Sequence, residues 1–243
     1  MSVFSQTNVG ILVDSVNLSG FASELTLGPI AVDVLDFTNY AAGGWKIKKP
    51  GLIQFDATVK GFQDYAATGV NSFINVNNVG TVQTITVSPT GGANVGDPSF
   101  LGQGNLTGYT PIGGKVGEPA DFDLAWKGTS VISRGLMLHP VAARTATGNG
   151  TATAFTPPTA SQSLYASFHV LSVSGAGSIQ FTVQTDTLVG MGTATTRITS
   201  QSFTAVGAQL ASVAGAITGG FIRCQWTITG FTSVTFAVAA GVQ

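Results

Sequence analysis

Lys49-Pro50-Gly51-Leu52-Ile53-Gln54-Phe55-Asp56-Ala57-Thr58-Val59-Lys60-Gly61 returns later in the chain, one residue longer, as Lys115-Val116-Gly117-Glu118-Pro119-Ala120-Asp121-Phe122-Asp123-Leu124-Ala125-Trp126-Lys127-Gly128. Both copies read Lys-x-Gly, a short spacer, then Phe-Asp-x-x-x-Lys-Gly. In each, a turn launches a strand and a glycine ends or bends it. A strand spelled twice points to two related β-units folded against each other. In the first copy Ile53, Phe55, Ala57 and Val59 share one face, and Gln54, Asp56, Thr58 and Lys60 share the other. In the second, Phe122, Leu124 and Trp126 oppose Asp121, Asp123 and Lys127. This is the two-residue period of a strand with one dry and one wet side. The Asp and Lys of one copy lie four residues apart, about 13 Å along a strand, too far to pair with each other. Their partners are expected on neighbouring strands or neighbouring subunits.

The totals fit that picture. The 243 residues are rich in Gly, Thr, Ser and Val, and only 9% are charged, against roughly 25% in an ordinary soluble domain. Tyr65 to Gly96 and Thr145 to Thr185 hold no Asp, Glu, Lys or Arg. So little charge favours association, and a surface covered by copies of the same chain is the sharper reading. A formal net charge of −1 gives no basic footprint for tight nucleic-acid binding. No basic segment precedes Asp14, so no secretory signal is expected. The uncharged run Ile198 to Ile222 is too polar for a membrane span. A lone cysteine, Cys224, excludes an intramolecular disulfide, and it falls on an apolar strand face as an inert buried thiol.

Elsewhere, alternation and turn residues predict strands over Val9–Leu18, Phe21–Leu27, Ile30–Phe37, Val82–Val87 and Val131–Leu138, with one short helix within Gly69–Asn77. Asn94–Gly114 reads as irregular, with a strand only near Asn105–Tyr109. Thr38–Pro50 reads as a long exposed loop, whose Trp45, Lys46, Lys48 and Lys49 favour contact with a partner. The composition of 143–163 reads as a linker. Strands follow over Leu164–Leu171, Ser178–Thr185, Thr196–Phe203, Phe221–Thr229 and Ser233–Ala239, enough for a small β-sandwich or jelly roll. The expectation is an all-β chain in two parts, 1–142 and 164–243, joined by that linker.

Catalytic equipment is missing from the sequence. There is no Gly-x-Ser-x-Gly, His-Glu-x-x-His, phosphate-binding loop or dinucleotide fingerprint, so neither catalytic residue, cofactor nor metal is expected. His139 and His169 have bland explanations at strand positions. Asp121 and Asp123 flank Phe122 like a carboxylate pair, but acid–base work on a glycoside needs a cleft around them.

Asn17-Leu18-Ser19-Gly20-Phe21-Ala22-Ser23, Val34-Leu35-Asp36-Phe37-Thr38 and Pro50-Gly51-Leu52 leading into a strand are similar to the amino-terminal half of the tail tube proteins of long-tailed bacteriophages (siphophages). Tyr109-Thr110-Pro111-Ile112-Gly113-Gly114-Lys115-Val116-Gly117 and the strand pair 120–138 resemble the closing half of that domain. The resemblance covers roughly residues 9 to 139. The stretch from Leu164-Tyr165-Ala166 onward resembles an extra β-domain appended to some tail proteins, expected on the tube exterior.

The resemblance implies a tail-tube-type β-sandwich or barrel whose copies close into rings, commonly hexameric, that stack in the virion tail after assembly in the host cytoplasm. Its partners would be further copies, the tape measure, tail terminator and distal tail proteins, and DNA in transit without specific binding or membrane insertion. Gln54, Asp56, Lys60, Asp121, Asp123 and Lys127 would then face the lumen. A mixed, near-neutral wall suits sliding DNA, because lysine arrays would hold phosphates by counterion release. The loop 38–50 would reach an adjacent subunit or ring, with Lys46, Lys48 and Lys49 meeting a neighbour's acids. Two rival classes stay open. One is a carbohydrate-binding or decoration and adhesion protein, for which Trp45 is the sole obvious aromatic platform. The other is a glycosidase on a β-sandwich.

Overall fold

A computed structural model describes residues 8–36, 46, 48–65, 70–74 and 78–243. In chain order the elements are β1 (Gly10–Val13), β2 (Val16–Asn17), β3 (Ala22–Leu27), β4 (Ala31–Asp36), β5 (Lys48–Gln54), β6 (Asp56–Phe62), the helical turn α1 (Val70–Phe73), β7 (Val82–Ser88) and β8 (Pro98–Gly113). They continue with β9 (Asp121–Gly128), β10 (Ser133–Arg144), β11 (Gly148–Asn149), β12 (Thr153–Ala154), β13 (Ser163–Ser174) and β14 (Ser178–Asp186). The last four are β15 (Thr195–Thr199), β16 (Gly207–Ala214), β17 (Phe221–Thr229) and β18 (Ser233–Val242). The chain is all-β, as its composition and alternation predict. It divides into two compact units, one of Met1–Phe21, Gln83–Gln103 and Ile132–Gln243, the other of Ala22–Val82 and Gly104–Val131.

The smaller unit is built on the repeated strand. β6 and β9, the two copies, lie side by side and antiparallel, in unbroken register from Asp56↔Lys127 to Phe62↔Asp121. Antiparallel pairing of one string with itself sets first against last. Asp56 meets Lys127, Lys60 meets Asp123, and Gly61 meets Phe122. The remaining pair follows, since the Gly128 N–H donates to the Phe55 carbonyl at 2.8 Å. The terminal glycine of the motif is thereby explained. A Cβ at Gly128 would run into the ring of Phe55, so the bare backbone is what lets the phenylalanine turn inward. Phe55, Ala57, Val59, Phe122, Leu124 and Trp126 are buried together on one face. β3 pairs with β6 on one flank, and the second half of β8 pairs with β9 on the other. β4 and β5 form a separate two-stranded sheet.

The larger unit is a sandwich. One sheet runs β16-β13-β18-β10, continues through the first part of β8, and ends with β7, β1 and β2. The other runs β17-β14-β15, with the two-residue strands β11 and β12 both on β17. Leu164, Ala166, Phe168 and Val170 of β13 and Phe236 and Val238 of β18 meet Phe181 and Val183 of β14 and Ile222, Cys224 and Trp226 of β17 in one core. Its rings pack at offset or tilted angles, with centroids 5.5 Å apart for Phe168–Phe181, 4.9 Å for Phe181–Phe236 and 5.3 Å for Trp226–Phe236. These are the separations at which aromatic pairs attract beyond their area. Cys224 lies wholly inside, and burial pushes its thiol pKa up, away from reactivity.

Four expectations are corrected. The chain does not divide at a linker over 143–163, because β10 runs through Arg144 against β18, and β11 and β12 lie on β17. The sandwich of the carboxyl-terminal half is completed by β10 and by segments from the first hundred residues, so 1–142 and 164–243 are not its parts. Asn94–Gly114 is mostly one sixteen-residue strand, β8. Its glycines and the shifts at Leu106/Gly108 and Thr110/Gly113 hide the alternation. Lys48, Lys49 and Pro50 belong to strand β5 rather than to a loop. The expected short helix is present as the single turn α1, and β16, whose small residues gave no alternating signal, was not anticipated.

Both histidines are buried. The His169 Nδ1 lies 2.7 Å from the Asp14 carbonyl, which only accepts, so Nδ1 carries the proton. The Nε2 then accepts from the Thr86 hydroxyl at 2.8 Å, and Thr86 Oγ1 sits 2.7 Å from Ser167 Oγ. His139 stacks on Phe236 at 4.3 Å and receives the Arg144 Nε–H on its Nε2 at 2.9 Å. Burial lowers the pKa of each to about 4, helped at His139 by the Arg144 guanidinium.

Two outcomes follow. Gly128→Ala lowers stability by about 1–3 kcal/mol through overpacking against Phe55, read as a shift in urea midpoint, whereas Gly117→Ala, which meets no neighbour but has positive φ, acts only through backbone strain. Between about pH 4 and 6.5 the unfolded chain binds protons that the folded histidines refuse, so stability is full above pH 6.5 and declines as pH falls toward 4. Replacing His169 by Asn removes its share of that decline, roughly 3 kcal/mol between pH 7 and pH 4, measured by urea titrations across that range.

Candidate functional site

Pairing of the two repeat copies gathers their polar residues on one sheet face. The register stacks them in transverse rows. Glu24 of β3, Lys60 of β6, Asp123 of β9 and Thr110 of β8 stand in one row. Thr26, Thr58, Ala125 and Gly108 form the next, and Asp56, Lys127 and Asn105 the one after. Phe62, Asp121 and Gly113 close the face at the other end. Lys127 Nζ bonds Asp56 Oδ2 at 2.6 Å, and Lys60 Nζ lies 3.9 Å from Glu24 Oε2. Exposed pairs of this kind add about 0.2–1 kcal/mol at most. Their effect here is on the field: four carboxylates, Glu24, Asp56, Asp121 and Asp123, share the face with two lysines, Lys60 set between Glu24 and Asp123 and Lys127 between Asp56 and Asn105. The face is mixed, slightly acidic and without a basic array.

Five of the six predicted lumen-facing residues, Asp56, Lys60, Asp121, Asp123 and Lys127, therefore share this face. Gln54 does not. It ends β5 and sits opposite Ala31 in the two-stranded sheet, because the chain breaks strand between Gln54 and Asp56. The Asp–Lys partners anticipated on a neighbouring strand are there, and that strand is the second copy. Asp121 and Asp123 border an open cleft of about 420 Å³ with Ser23, Glu24, Lys60 and Thr110. Its acids are spread over two strands on an open sheet face, and among the described residues no group of three His, Cys, Asp or Glu stands in a metal-binding arrangement.

Of the loop candidates, Trp45 lies outside the described residues. Lys46 is exposed. Lys48 is paired within its own chain, 3.3 Å from Asp36 across the β4–β5 register, and Lys49 stands opposite Leu35. The acid assigned to a neighbouring subunit is thus, for Lys48, the chain's own Asp36. Trp126 and Trp226 are buried, as their apolar strand faces predict.

One feature of the face went unread in the sequence. Phe62 continues the polar set 56, 58, 60 and is 54% exposed, with Tyr65 nearby in sequence at 53%. Tyr65 Oη donates to the Pro111 carbonyl at 2.8 Å, and Gln63 Nε2 reaches Tyr109 Oη at 2.8 Å. Tyr109 Oη in turn donates to Asn71 Oδ1 of α1 at 3.1 Å. Simple alternation from Asp56 was the signal that places Phe62 among polar neighbours.

No protein-family model matches the chain, and a search of curated proteins finds no match. Among solved structures it is similar to SPP1 Dit (gp 19.1), described as a paradigm of the hub adsorption apparatus in phages infecting Gram-positive hosts. That likeness has 13% identity, covers 97% of this chain and 99% of that one, and has a TM-score of 0.38. The phage p2 baseplate in its activated conformation follows at 7% identity, 95% and 97% coverage and a TM-score of 0.33. Infectious bursal disease virus, Gx strain, follows at 10% identity, 97% and 70% coverage and a TM-score of 0.29. Each likeness is distant.

Proposed function

We propose that this chain is a non-enzymatic structural subunit of a phage tail that joins copies of itself into rings around a lumen for DNA. The observation that carries the reading is the polar face of β3, β6, β9 and β8, where Lys60 and Lys127 each have an acid across the register. A phosphate backbone sliding past such a wall finds no lysine array free to release its counterions, so the wall repels weakly and does not hold. The order and spacing of the motifs over roughly residues 9 to 139, similar to tail tube proteins, support the same role.

The edges of the sheet support ring formation. β3 takes β6 on one side and, among the described residues, no strand on the other. An open edge is a liability in a lone subunit and is removed when sheets join around a ring. With 9% of its residues charged, the chain is also poorly suited to life as a dispersed monomer. The tube is the reading of first choice, with tape measure, terminator and distal proteins as its neighbours in the tail. A ring at the tail tip is the second, favoured by one observation: the unit holding the carboxyl-terminal half also takes in residues 8–21 and 83–103, which is not the layout of a tube domain followed by an appended one.

Negative-stain electron microscopy of the purified chain separates these readings. Rings stacked into tubes are expected for the tube, and discrete single rings for the tip. A strictly monomeric species at high concentration overturns both.

A further inference from the structure

β16 is the last strand on its side of the sandwich. It pairs with β13 along its whole length, from Ser163↔Ala214 to Val170↔Gly207, and among the described residues no strand lies on its other side. The register says which backbone groups are left over. The Gly215 N–H donates to the Gln162 carbonyl at 3.0 Å. In an antiparallel ladder Val213, Ala211, Gln209 and Gly207 then also turn their N–H and C=O toward β13, and Ala208, Leu210, Ser212 and Ala214 turn theirs outward. None of the strand's residues is buried, and Ser212 and Ala214 are exposed. The chain leaving β15 meets β16 through a side chain: the Gln201 N–H donates to Gln209 Oε1 at 2.8 Å, which leaves the outward backbone groups untouched.

A row of free N–H and C=O groups is a template for another strand, and proteins guard such edges with charge, proline or bulges. β3 carries Glu24, and β15 carries Arg197. β16 has no such guard. It holds no charged residue and no proline, and its register with β13 is unbroken. The uncharged run around it extends from Ile198 to Ile222.

The outward groups accept an extended backbone, and the sequence of β16 suits a copy of itself. Antiparallel self-pairing centred on Ala211 is the register that engages Ala208, Leu210, Ser212 and Ala214 on both copies. It sets Ala208 against Ala214, Leu210 against Ser212, Gln209 against Val213 and Ala211 against its own counterpart. Leucine meets serine, and no like charges oppose each other across the axis. We propose that β16 pairs with β16 of a second copy about a twofold axis, continuing the sheet from one sandwich into the next. The contact is isologous, so it does not sit between successive subunits of a ring of more than two. It joins copies in different rings, or copies outside one. It goes beyond the ring reading and uses neither β3 nor the polar face.

Cross-linking of the full-length chain tests the pairing. Ala211 faces its counterpart at a non-hydrogen-bonded position, where Cα atoms stand about 4.5 Å apart, within disulfide range. Ala211→Cys treated with diamide is expected to give a covalent dimer on a non-reducing gel. The wild type, whose Cys224 is buried, gives none, and Thr227→Cys, at an exposed position of β17, sets the level due to random collision. Adding Ser212→Lys puts a charge on the edge. Adding Ser212→Pro removes one outward N–H and none that β13 uses. Each lowers the dimer yield of Ala211→Cys at least about tenfold, with circular dichroism and thermal melting checking the fold. A folded Ala211→Cys that dimerises no more than Thr227→Cys, or a yield that folded Ser212→Lys leaves unchanged, overturns the pairing. Either result leaves the ring reading standing, because that is judged from micrographs of the wild type, and an absence of rings there leaves this pairing untouched.

Discussion

A string paired with its own copy in antiparallel register must satisfy itself, first residue against last. Phe-Asp-x-x-x-Lys-Gly does so: Gly128 makes room for Phe55, Gly61 stands opposite Phe122, and at both ends lysine meets aspartate. That constraint fixes most of the smaller unit. It sends Phe55 and Phe122 to the buried face, and with them Val59, Leu124 and Trp126. On the opposite face it sets Lys127 against Asp56 and Lys60 against Asp123. β3 and β8 then extend a pattern that the central pair has set, placing Glu24 beside Lys60 and Thr110 beside Asp123.

How much of this was legible in the sequence depended on side-chain contrast. β6, β9, β14, β17 and β18 alternate large apolar and polar residues, so their existence and their buried faces, including Trp226 and Cys224, could be read directly. β8 and β16 could not. The first is interrupted by Gly102, Gly104 and Gly108, and the second, Gly207–Ala214, offers mostly small side chains on either face. Both are strands because neighbours hydrogen-bond to them, which no local window records. The unit boundary failed for the same reason. β18 inserts between β13 and β10, and residues 83–103 fall in one unit with residues 132–243, so proximity in sequence was a poor guide.

The candidate site was legible in part. Alternation put five of its six residues on one face, and the arithmetic of strand rise required partners on another strand. What alternation did not reveal was the break at Phe55 that carries Gln54 into a different sheet, nor that Lys48 would find Asp36 in its own hairpin. Charge in this protein is scarce, and the ion pairs among the described residues join β4 to β5, β3 to β6 and β6 to β9. The larger unit includes the long uncharged stretch from Thr145 to Thr185.

The placement of β18 bears on the order in which the chain takes shape during synthesis. Residues 233–242 hydrogen-bond to β10 on one side and β13 on the other, so the sandwich lacks its central strand until they have left the ribosome. The smaller unit, contained within residues 22–131, needs none of them and is free to fold earlier, as domains generally do during translation. The repeat pair, complete by residue 128, thus needs nothing from β18, whereas β10 and β13 have no strand between them until residues 233–242 are made.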